Sequence, residues 1–312
     1  MKILITGGAG FIGSHVSDAY LAAGHDVVVV DDLSSGYAHN LNPKAKFYKQ
    51  DICSPELDEV FSLEQPDIVN HHAAQISVPR SIEDPLRDAR INVLGLINLL
   101  QNCMKHHVKK VIFISSGGAI YGEAEEYPTS ENYQPIPLSV YAINKMVGES
   151  YLYFYQHQYG LSYTVLRYAN VYGPRQVSHG EAGVVSIFTE KLLSGEQPVL
   201  NAYPEEPEGM IRDYVYVKDV VQANLLALEH GTGEAFNIGT RIETTTRGLY
   251  NEICRQLEIN IEPLAGMARQ GDIRRSLLNF DKANSILGWT PGYTLSRGIA
   301  ETIEFFKSGQ KR

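Results

Sequence analysis

Short apolar runs alternate with longer amphipathic stretches through the first half of the chain. Runs of four to six apolar or β-branched residues are typical of buried strands, and a repeat near 3.6 residues is typical of a helix. We therefore predict strands at 2–6, 26–30, 46–49, 67–70, 111–115 and 163–167, and helices at 14–23, 86–106 and 140–158. Strands separated by helices predict an α/β fold, built on a doubly wound parallel sheet.

A glycine-rich turn joins the first predicted strand to the first predicted helix, with the sequence GGAGFIG at 7–13. Gly7 permits a tight turn, Gly10 lets a pyrophosphate approach the backbone, and Gly13 lets the helix pack closely on the strand. The free N–H groups at the start of the helix favour phosphate. The turn predicts a Rossmann domain that binds a dinucleotide.

The ends of the next strands supply further candidate cofactor contacts. Asp31 and Asp32 follow the second strand, 18 residues after Gly13 in the case of Asp31. An acid there suits a ribose diol, so NAD is favoured over NADP. Asp51 and Ile52, just after the third strand, could hold adenine by polar and apolar contact, and Ala73, Ala74 and Gln75 put small residues after the fourth strand, where a cofactor would pass. For this last group, an ordinary connection from strand to loop is an equally good interpretation.

A serine, a tyrosine and a lysine form the candidate catalytic set. Ser115 and Ser116 end the strand VIFIS, at the carboxyl edge where open α/β sheets bind ligands. Tyr141 and Lys145 are four residues apart and share one helix face. A nearby ammonium and a positive nicotinamide ring should both lower the pKa of the phenol, so that Tyr141 can act as a base.

Composition narrows the function classes. The 312 residues carry a net charge of −9, which argues against a nucleic-acid binder. Apolar runs are too short to cross a membrane, and the N-terminus lacks a signal-peptide pattern, so we expect a cytoplasmic protein. The three cysteines are far apart and fit reduced thiols. No set of residues has the spacing of a metal site.

Several motifs together resemble one family. TGGAGFIGSH, DDLSSG, HHAAQISVPRS, SSGGAIYG, YAINK, RYANVYGPRQ, RDYVYVKDV and NIGT resemble the extended short-chain dehydrogenase/reductases, and most of all the UDP-glucose 4-epimerases. The resemblance runs from Met1 to about Trp289. It implies an NAD-binding domain at 1–167 and a smaller lobe at 168–312 that binds a nucleotide sugar and is interleaved with the last strands of the sheet.

The resemblance also assigns roles to individual residues. Tyr141 would be the base, Ser116 the hydroxyl relay, and Lys145 the electrostatic partner. Further residues implied to contact the cofactor are Phe11, Ile12, Leu33, Ser34, Ser35, Gly36, His72, Asn92, Ser115 and Tyr168. Residues implied to contact the substrate are Ser77, Gly117, Asn170, Arg212, Arg269, Asp272 and Ser276. Arg212 and Arg269 would bind the pyrophosphate, because guanidinium groups bind phosphate bidentately.

Gly117 and Gly118 indicate the reaction. Related dehydratases and decarboxylases carry Asp or Glu just after the strand-end hydroxyl, and they use such acids to eliminate water after oxidation at C4. With glycines there, the 4-keto intermediate can only take its hydride back, and return to the other face is epimerisation. The alternative is that Glu123 or Glu131 supplies the acid from a loop. Gly117 also stands where many epimerases have a third hydroxyl residue.

Two further features concern the substrate. The segment NAYPEEPEG stands where relatives commonly have a short GDG turn. Ser276 falls beside the C2 substituent of the sugar, where a small residue permits an N-acetyl group without requiring one. Arg175 or Arg274 could instead meet a uronic acid.

Taken together, the sequence predicts an NAD-dependent UDP-hexose 4-epimerase acting on UDP-glucose and UDP-galactose, with the N-acetylated pair permitted. The alternatives are a UDP-glucuronate 4-epimerase, a net oxidoreductase that releases NADH, and a non-catalytic NAD sensor. The helical segments 86–106 and 140–158 are the candidate surface of a homodimer, because the second is rich in aromatic residues.

Overall fold

The computed structural model describes residues 1–177, 183–268 and 272–309. Its strands are β1 (Lys2–Thr6), β2 (Asp26–Asp31), β3 (Lys46–Lys49), β4 (Ile68–His71), β5 (Lys110–Ser116), β6 (Ser162–Tyr168), β7 (Asn170–Tyr172), β8 (Val199–Ala202), β9 (Ile211–Tyr216), β10 (Glu234–Ile238), β11 (Glu243–Thr245) and β12 (Leu264–Met267).

The helices of the same residues are α1 (Phe11–Ala22), α2 (Leu57–Glu64), α3 (Val78–Glu83), α4 (Pro85–Ala89), α5 (Gly95–Lys105), α6 (Gly117–Ile120), α7 (Val140–Tyr159), α8 (Val184–Leu193), α9 (Val217–Ala227), α10 (Thr246–Leu257) and α11 (Leu295–Lys307). A 3₁₀ turn covers Ala38–Asn40, and π-helical turns cover Arg90–Leu94 and Ala283–Leu287.

Seven parallel strands form the central sheet, in the order β10-β6-β5-β4-β1-β2-β3. The chain starts in the middle, winds outward to β3, and then crosses to the other side through β4, β5 and β6. The predicted α/β fold with a doubly wound parallel sheet is confirmed. The six predicted strands are all present, and their ends differ from the prediction by at most one residue.

The helix predicted at 86–106 contains a local irregularity. Residues 85–105 run through α4, the π-helical turn Arg90–Leu94 and α5. π-Helical turns inside α-helices are frequent at functional sites because the extra residue redirects a side chain. Here the turn contains Asn92, which the sequence assigns to the cofactor. Hydrophobic periodicity cannot reveal such a turn.

Apolar side chains pack on both faces of the central sheet. Alternate residues of β1 belong to different layers, with Ile3 and Ile5 packing toward Trp289 and α9, and Leu4 toward α2 and α5. A strand buried on both faces reads as a continuous apolar run, which explains KILIT and VVVV. The helices thus hold the carboxyl ends of the strands at one edge.

The C-terminal part of the chain forms its own small core and also returns to the central sheet. β9 pairs with β7 and β11, β8 pairs with β12, and Tyr172, Phe188 and Tyr250 belong to a core that β7 and β9 share with α8, α10 and α11. β10 pairs with β6 in parallel. None of the helices in the described ranges is long and apolar enough to span a bilayer.

Candidate active site

The glycine-rich turn between β1 and α1 fits tightly against the end of β4. Gly7 has a φ of +70°, and a Cβ there would lie 2.6 Å from the backbone nitrogen of Ala73. A Cβ at Gly13 would lie 2.4 Å from the carbonyl oxygen of Gly7. No side chain caps the N-terminus of α1, which begins at Phe11. The free N–H groups at the start of α1 are therefore available to an anion.

Asp31 secures this turn. One carboxylate oxygen accepts a hydrogen bond from the Ala9 N–H at 2.9 Å, and the other accepts one from the Leu33 N–H at 2.8 Å. Burial raises the pKa of Asp31. A Cβ at Gly36 would lie 2.9 Å from the Ala9 backbone, so the segment that follows β2 packs directly on the turn. The Asp32 carboxylate is more exposed and accepts from the Ser34 N–H.

The predicted adenine side is built from residues after β3. The Asp51 carboxylate accepts from the Cys53 N–H at 2.8 Å and lies 3.5 Å from the Arg90 guanidinium. Ile52 is buried, and Gly95 allows its side chain to fit against α5, since a Cβ at Gly95 would lie 2.7 Å from it. These contacts leave the adenine role of both residues a prediction.

Gln75 and Asn92 are held together by reciprocal hydrogen bonds. The Asn92 Oδ1 accepts from the Gln75 N–H at 3.0 Å, and the Asn92 Nδ2 donates to the Gln75 carbonyl at 2.9 Å. Asp88, which is fully buried, accepts hydrogen bonds from both side chains. The sequence named Gln75 and Asn92 and missed Asp88, because a single acid in an exposed-looking helix has no local signal.

Tyr141 lies at the start of α7, and its phenol is close enough to Ser116 for an interaction that lowers the pKa of the phenol. Its own N–H donates to the Ser81 hydroxyl at 3.1 Å. Burial raises the pKa of Tyr141 to about 12, which the Ser116 hydrogen bond opposes and the charge of Asp88 reinforces. Among the residues of the chain, burial thus favours the protonated phenol, and the effect of a nicotinamide ring on this pKa remains a prediction.

Lys145 lies one turn after Tyr141 and is 4% exposed. Its Nζ donates to the Ile114 carbonyl at 2.9 Å and lies 5.1 Å from the centre of the Phe113 ring and 5.9 Å from that of Tyr141. Burial lowers the pKa of the ammonium to about 8, while the charges of Asp88 and Glu149 raise it. The lysine is therefore fixed to β5, directly behind the tyrosine.

Glu149 continues the same helix face and joins α7 to β5 and β6. It accepts hydrogen bonds from the Ser115 hydroxyl at 2.5 Å and from the guanidinium of Arg167, at 2.6 Å for the shortest. Arg167 also donates to the Tyr121 hydroxyl, which in turn bonds to Asn237 on β10. Ser115 is consequently turned toward Glu149, and its predicted cofactor contact remains untested.

The two loop acids considered as proton donors have other partners. The Glu123 carboxylate accepts from the Arg274 N–H, and that of Glu131 accepts from the Asn237 N–H at 2.7 Å. Burial raises the pKa of Glu131. Each carboxylate thus accepts a hydrogen bond from the backbone of a neighbouring segment. Neither has a described contact with Ser116 or Tyr141.

Gly117 and Gly118 face the substrate lobe at very short range. A Cβ at Gly117 would lie 2.5 Å from the Leu278 side chain, and one at Gly118 would lie 3.3 Å from Asn170 Oδ1 and 4.0 Å from Ser276 Oγ. Asn170 and Ser276, which come from β7 and from the segment after β12, therefore meet next to the turn that carries Ser116. The structure brings these predicted substrate residues together.

Arg212 has a partly buried guanidinium without a carboxylate partner among the described ion pairs. Its Nη1 donates to the Ile211 carbonyl at 3.0 Å and lies 3.5 Å from that of Arg274. Burial lowers the pKa of Arg212, and the charges of Asp272 and Glu123 oppose that effect. Asp272 thus lies near Arg212, as expected for one site, whereas Arg269 lies outside the described residues.

The arginines proposed for a uronic acid are already paired. Arg175 forms a 2.8 Å ion pair with Asp18 on α1. Arg274 forms ion pairs with Glu205 and Glu206 and stacks 3.8 Å from the centre of the Tyr203 ring. These contacts hold the segment NAYPEEPEG against the segment that contains Ser276. The Glu205 and Glu206 carboxylates are therefore paired with Arg274 and are not free charges in the site.

Other predicted residues have mainly internal contacts. Ser77 caps α3 by accepting from the Arg80 N–H. Tyr168 is 4% exposed, and its hydroxyl accepts from Asn224 at 2.6 Å within the core. The His72 Nε2 is buried with no hydrogen-bond partner in the described structure, and burial lowers the pKa of this histidine to about 3. Their ligand contacts remain predictions.

Comparison with known proteins agrees with this geometry. Residues 3–239 match the model of the NAD dependent epimerase/dehydratase family. The UDP-glucose 4-epimerase of Mycolicibacterium smegmatis is 45% identical over 314 residues, 99% of each chain. Two solved structures of UDP-glucose 4-epimerases are very similar. That from Thermotoga maritima, with UDP-glucose, has a TM-score of 0.97 at 49% identity and full coverage of both chains. That from Thermus thermophilus, with NAD, has a TM-score of 0.93 at 42% identity, covering 98% of this chain and 99% of that one.

The fold, with a serine, a tyrosine and a lysine at the edge of its parallel sheet, is that of an extended short-chain dehydrogenase/reductase, as the motifs predicted. The chain belongs to the NAD dependent epimerase/dehydratase family, and NAD is its cofactor.

The Glu149–Arg167 pair yields the first prediction. Both side chains are about nine-tenths buried, so Arg167→Met would leave an uncompensated carboxylate under the site. We expect the free energy of unfolding to fall by ~3–5 kcal/mol. The measurement is urea unfolding, with Arg255→Met as control, because the Arg255–Glu252 pair is exposed on the arginine side and is worth at most ~1 kcal/mol. Equal losses in the two variants would contradict the assignment.

Proposed function

We propose that the protein is a UDP-hexose 4-epimerase that interconverts UDP-glucose and UDP-galactose with bound NAD. The observation that carries the proposal is the contact between the Tyr141 phenol and Ser116, with Lys145 behind it and no acid at 117 or 118. This set can move a proton to and from a sugar hydroxyl, and it offers no acid for elimination. The named relatives support the same reaction.

The residues around the glycine-rich turn fit NAD. Gly7 and Gly13 leave no room for a side chain between the turn, α1 and β4, and the uncapped start of α1 suits the pyrophosphate. Asp31 and Asp32 would meet the adenosine ribose, Lys145 would meet the nicotinamide ribose, and Gln75 and Asn92 would line the cofactor site. Held by these residues, NAD would supply reversible hydride transfer at C4 of the sugar.

The chain's own groups then handle the proton. Tyr141 takes the proton of the C4 hydroxyl, either directly or through Ser116, whose hydroxyl can accept one proton while donating another. Because burial holds the phenol protonated in the chain alone, the phenolate requires additional positive charge. This charge must come in addition to the Lys145 ammonium, and a bound nicotinamide ring would supply it. On return of the hydride the phenol gives the proton back.

The nucleotide half of the substrate would be held by the C-terminal lobe. Among the described residues the Arg212 guanidinium donates to backbone carbonyls and has no carboxylate partner. A diphosphate would accept its remaining hydrogen bonds and balance its charge. Asn170 would contact the sugar beside Gly118. Arg269 would provide the second cation, and Asp272 would bind the uridine ribose.

The sugar pocket favours a neutral hexose. The two arginines that could bind a uronate carboxylate are neutralised by Asp18, Glu205 and Glu206. A net oxidoreductase would release NADH, which is inconsistent with a cofactor that is reduced and reoxidised in each turnover. Ser276 leaves space for an N-acetyl group at C2, so UDP-GlcNAc and UDP-GalNAc are further candidate substrates.

A homodimer is the quaternary structure that the surface supports. Exposed apolar residues concentrate on α4, α7 and the turn between α4 and α5, where Leu86 is 83% exposed, Leu94 59% and Tyr153 63%. Contiguous exposed apolar residues of this size mark interaction sites. The described cysteines are all free, which is compatible with a reducing cytoplasm.

The base assignment predicts the behaviour of Tyr141→Phe. Without the phenol, kcat should fall about 10²- to 10⁴-fold, because proton transfer loses its acceptor. Proton NMR of the anomeric signals of UDP-galactose measures the conversion. Tyr153→Phe, on the exposed face of the same helix, is the matched control and should behave like the parent. Parental conversion by Tyr141→Phe would end the epimerase proposal.

Pocket size predicts the effect of Ser276→Tyr. A phenol ring beside Gly118 would occupy the space for a C2 substituent, so conversion of UDP-GalNAc should fall at least about 10-fold. Conversion of UDP-galactose should change only a few-fold and serves as the internal control. A proportional loss for both sugars would show that Ser276 does not select the substituent.

The apolar surface predicts that Tyr153→Glu combined with Phe154→Glu yields a monomer, because charges buried in an interface core are costly. Light scattering after gel filtration measures the mass. Leu63→Glu, at a 70% exposed position on α2, is the control and should leave the mass of the parent unchanged. A monomeric parent, or a dimeric double variant, would refute this interface.

A further inference from the structure

Asp88 is a fully buried carboxylate that contacts three amide side chains and no cation among the described residues. Its oxygens accept hydrogen bonds from Gln75 at 2.6 Å, Asn92 at 3.0 Å and Asn144 at 2.6 Å. An ionised carboxylate is costly to bury unless hydrogen bonds replace its lost water. Three hydrogen bonds from amide donors meet that requirement, so the Asp88 carboxylate is satisfied although it is buried.

The three amides belong to different parts of the site. Gln75 follows β4, and Asn92 lies in the π-helical turn after α4. Asn144 lies on α7, between Tyr141 and Lys145. A single carboxylate therefore connects the predicted cofactor side to the helix that carries the base and the lysine.

We propose that Asp88 is a positioning residue that fixes Gln75 and Asn92 against the cofactor, fixes the Tyr141–Lys145 turn through Asn144, and supplies the negative charge that keeps Lys145 an ammonium. The last role rests on the proposed function. The first two require only that the chain binds NAD.

Electrostatics supports the third role. Charged and titratable groups facing Lys145 come from its own helix (Tyr141, Glu149), from α4 (Asp88) and from the end of β4 (His71, His72). Burial lowers the pKa of both histidines and so keeps them neutral, which leaves Asp88 and Glu149 as the anions. Asp88 raises the pKa of both Lys145 and Tyr141.

An asparagine cannot replace this carboxylate without loss. All three partners point N–H donors at Asp88, and an amide offers one acceptor oxygen and one donor group. Asn144 can turn its amide around to accept, because no other contact of its side chain is described. Asn92 and Gln75 cannot, because each is also bonded to backbone.

The primary test is Asp88→Asn in the full chain, measured in two ways. Calorimetric titration of NAD-depleted protein with NAD should show affinity weakened about 10-fold, because an amide donor of the cofactor side is left unpaired. With UDP-galactose, kcat should fall about 10- to 100-fold. Its pH profile should move as a whole to lower pH, because removing an anion lowers the pKa of both Tyr141 and Lys145. A merely structural role would lower kcat without moving the profile.

Two further variants separate charge from geometry. Glu83 lines a small cavity together with Gln75 and Asp88 but makes none of the hydrogen bonds of the cluster. In Glu83→Gln, NAD affinity and pH profile should therefore match the parent. The double variant Asp88→Asn, Asn144→Asp can form the same hydrogen bonds as Asp88→Asn, in which the Asn144 amide has turned so that its oxygen accepts. The double variant also restores a negative charge beside Lys145. In this double variant the pH profile should return toward that of the parent.

The outcomes are distinct. Parental NAD affinity, kcat and pH profile in Asp88→Asn would overturn the proposal, as would an equal shift in Glu83→Gln. A parent that binds NAD but epimerises no UDP-sugar refutes the proposed function, while the titration still decides the role of Asp88 toward Gln75 and Asn92. If Asp88→Asn does not fold, Asn144→Ala removes only the α7 contact. It should retain NAD affinity and lose kcat, and parental kcat in that variant would overturn the link to α7.

Discussion

The burial of charge beneath the carboxyl edge of the sheet is the constraint on which the site depends. Lys145, Glu149 and Arg167 are almost inaccessible to solvent, and each would be destabilising without partners. The partners come from other elements: the Ile114 carbonyl for Lys145, and Ser115 and Tyr121 for the ion pair. Satisfying these charges therefore fixes α7 against β5 and β6, which sets the place of the base.

The same burial shifts the proton equilibria of the site in opposite directions. It raises the pKa of Tyr141 to about 12 and lowers that of Lys145 to about 8, because low polarity disfavours phenolate and ammonium alike. The two pKa values, which are ordinarily close, thus move apart, and burial favours the neutral form of both groups. Added positive charge shifts the phenol toward ionisation, so the base should become strongest when the site is filled. Activation of Tyr141 is in this way tied to occupancy.

Local sequence carries information about strands, turns and single motifs, and these were predicted well. Apolar runs located the six strands, and the glycine spacing located the turn, because both are properties of neighbouring residues. The polar network was not predictable in the same way. Asp88 and Asn144 are 56 residues apart, and the π-helical turn at Asn92 leaves the hydrophobic period nearly intact. The effect of burial on the pKa of Tyr141 was not predicted for a related reason, because burial depends on tertiary packing rather than on spacing.

The glycines of SSGGAIYG have a steric as well as a chemical consequence. A Cβ at 117 would overlap the Leu278 side chain, and one at 118 would press on the Asn170 side chain, so an acid in either place would require these side chains to move. An acid at either position therefore carries a packing cost. Epimerisation also requires that the oxidised sugar turn over before the hydride returns, and such a motion requires space. Gly118 and Ser276 are both small and lie close together, since a Cβ at Gly118 would be 4.0 Å from Ser276 Oγ. Gly117 and Gly118 thus leave the site without an acid and also leave room for the oxidised sugar to turn over. Both effects favour return of the hydride to either face of the sugar.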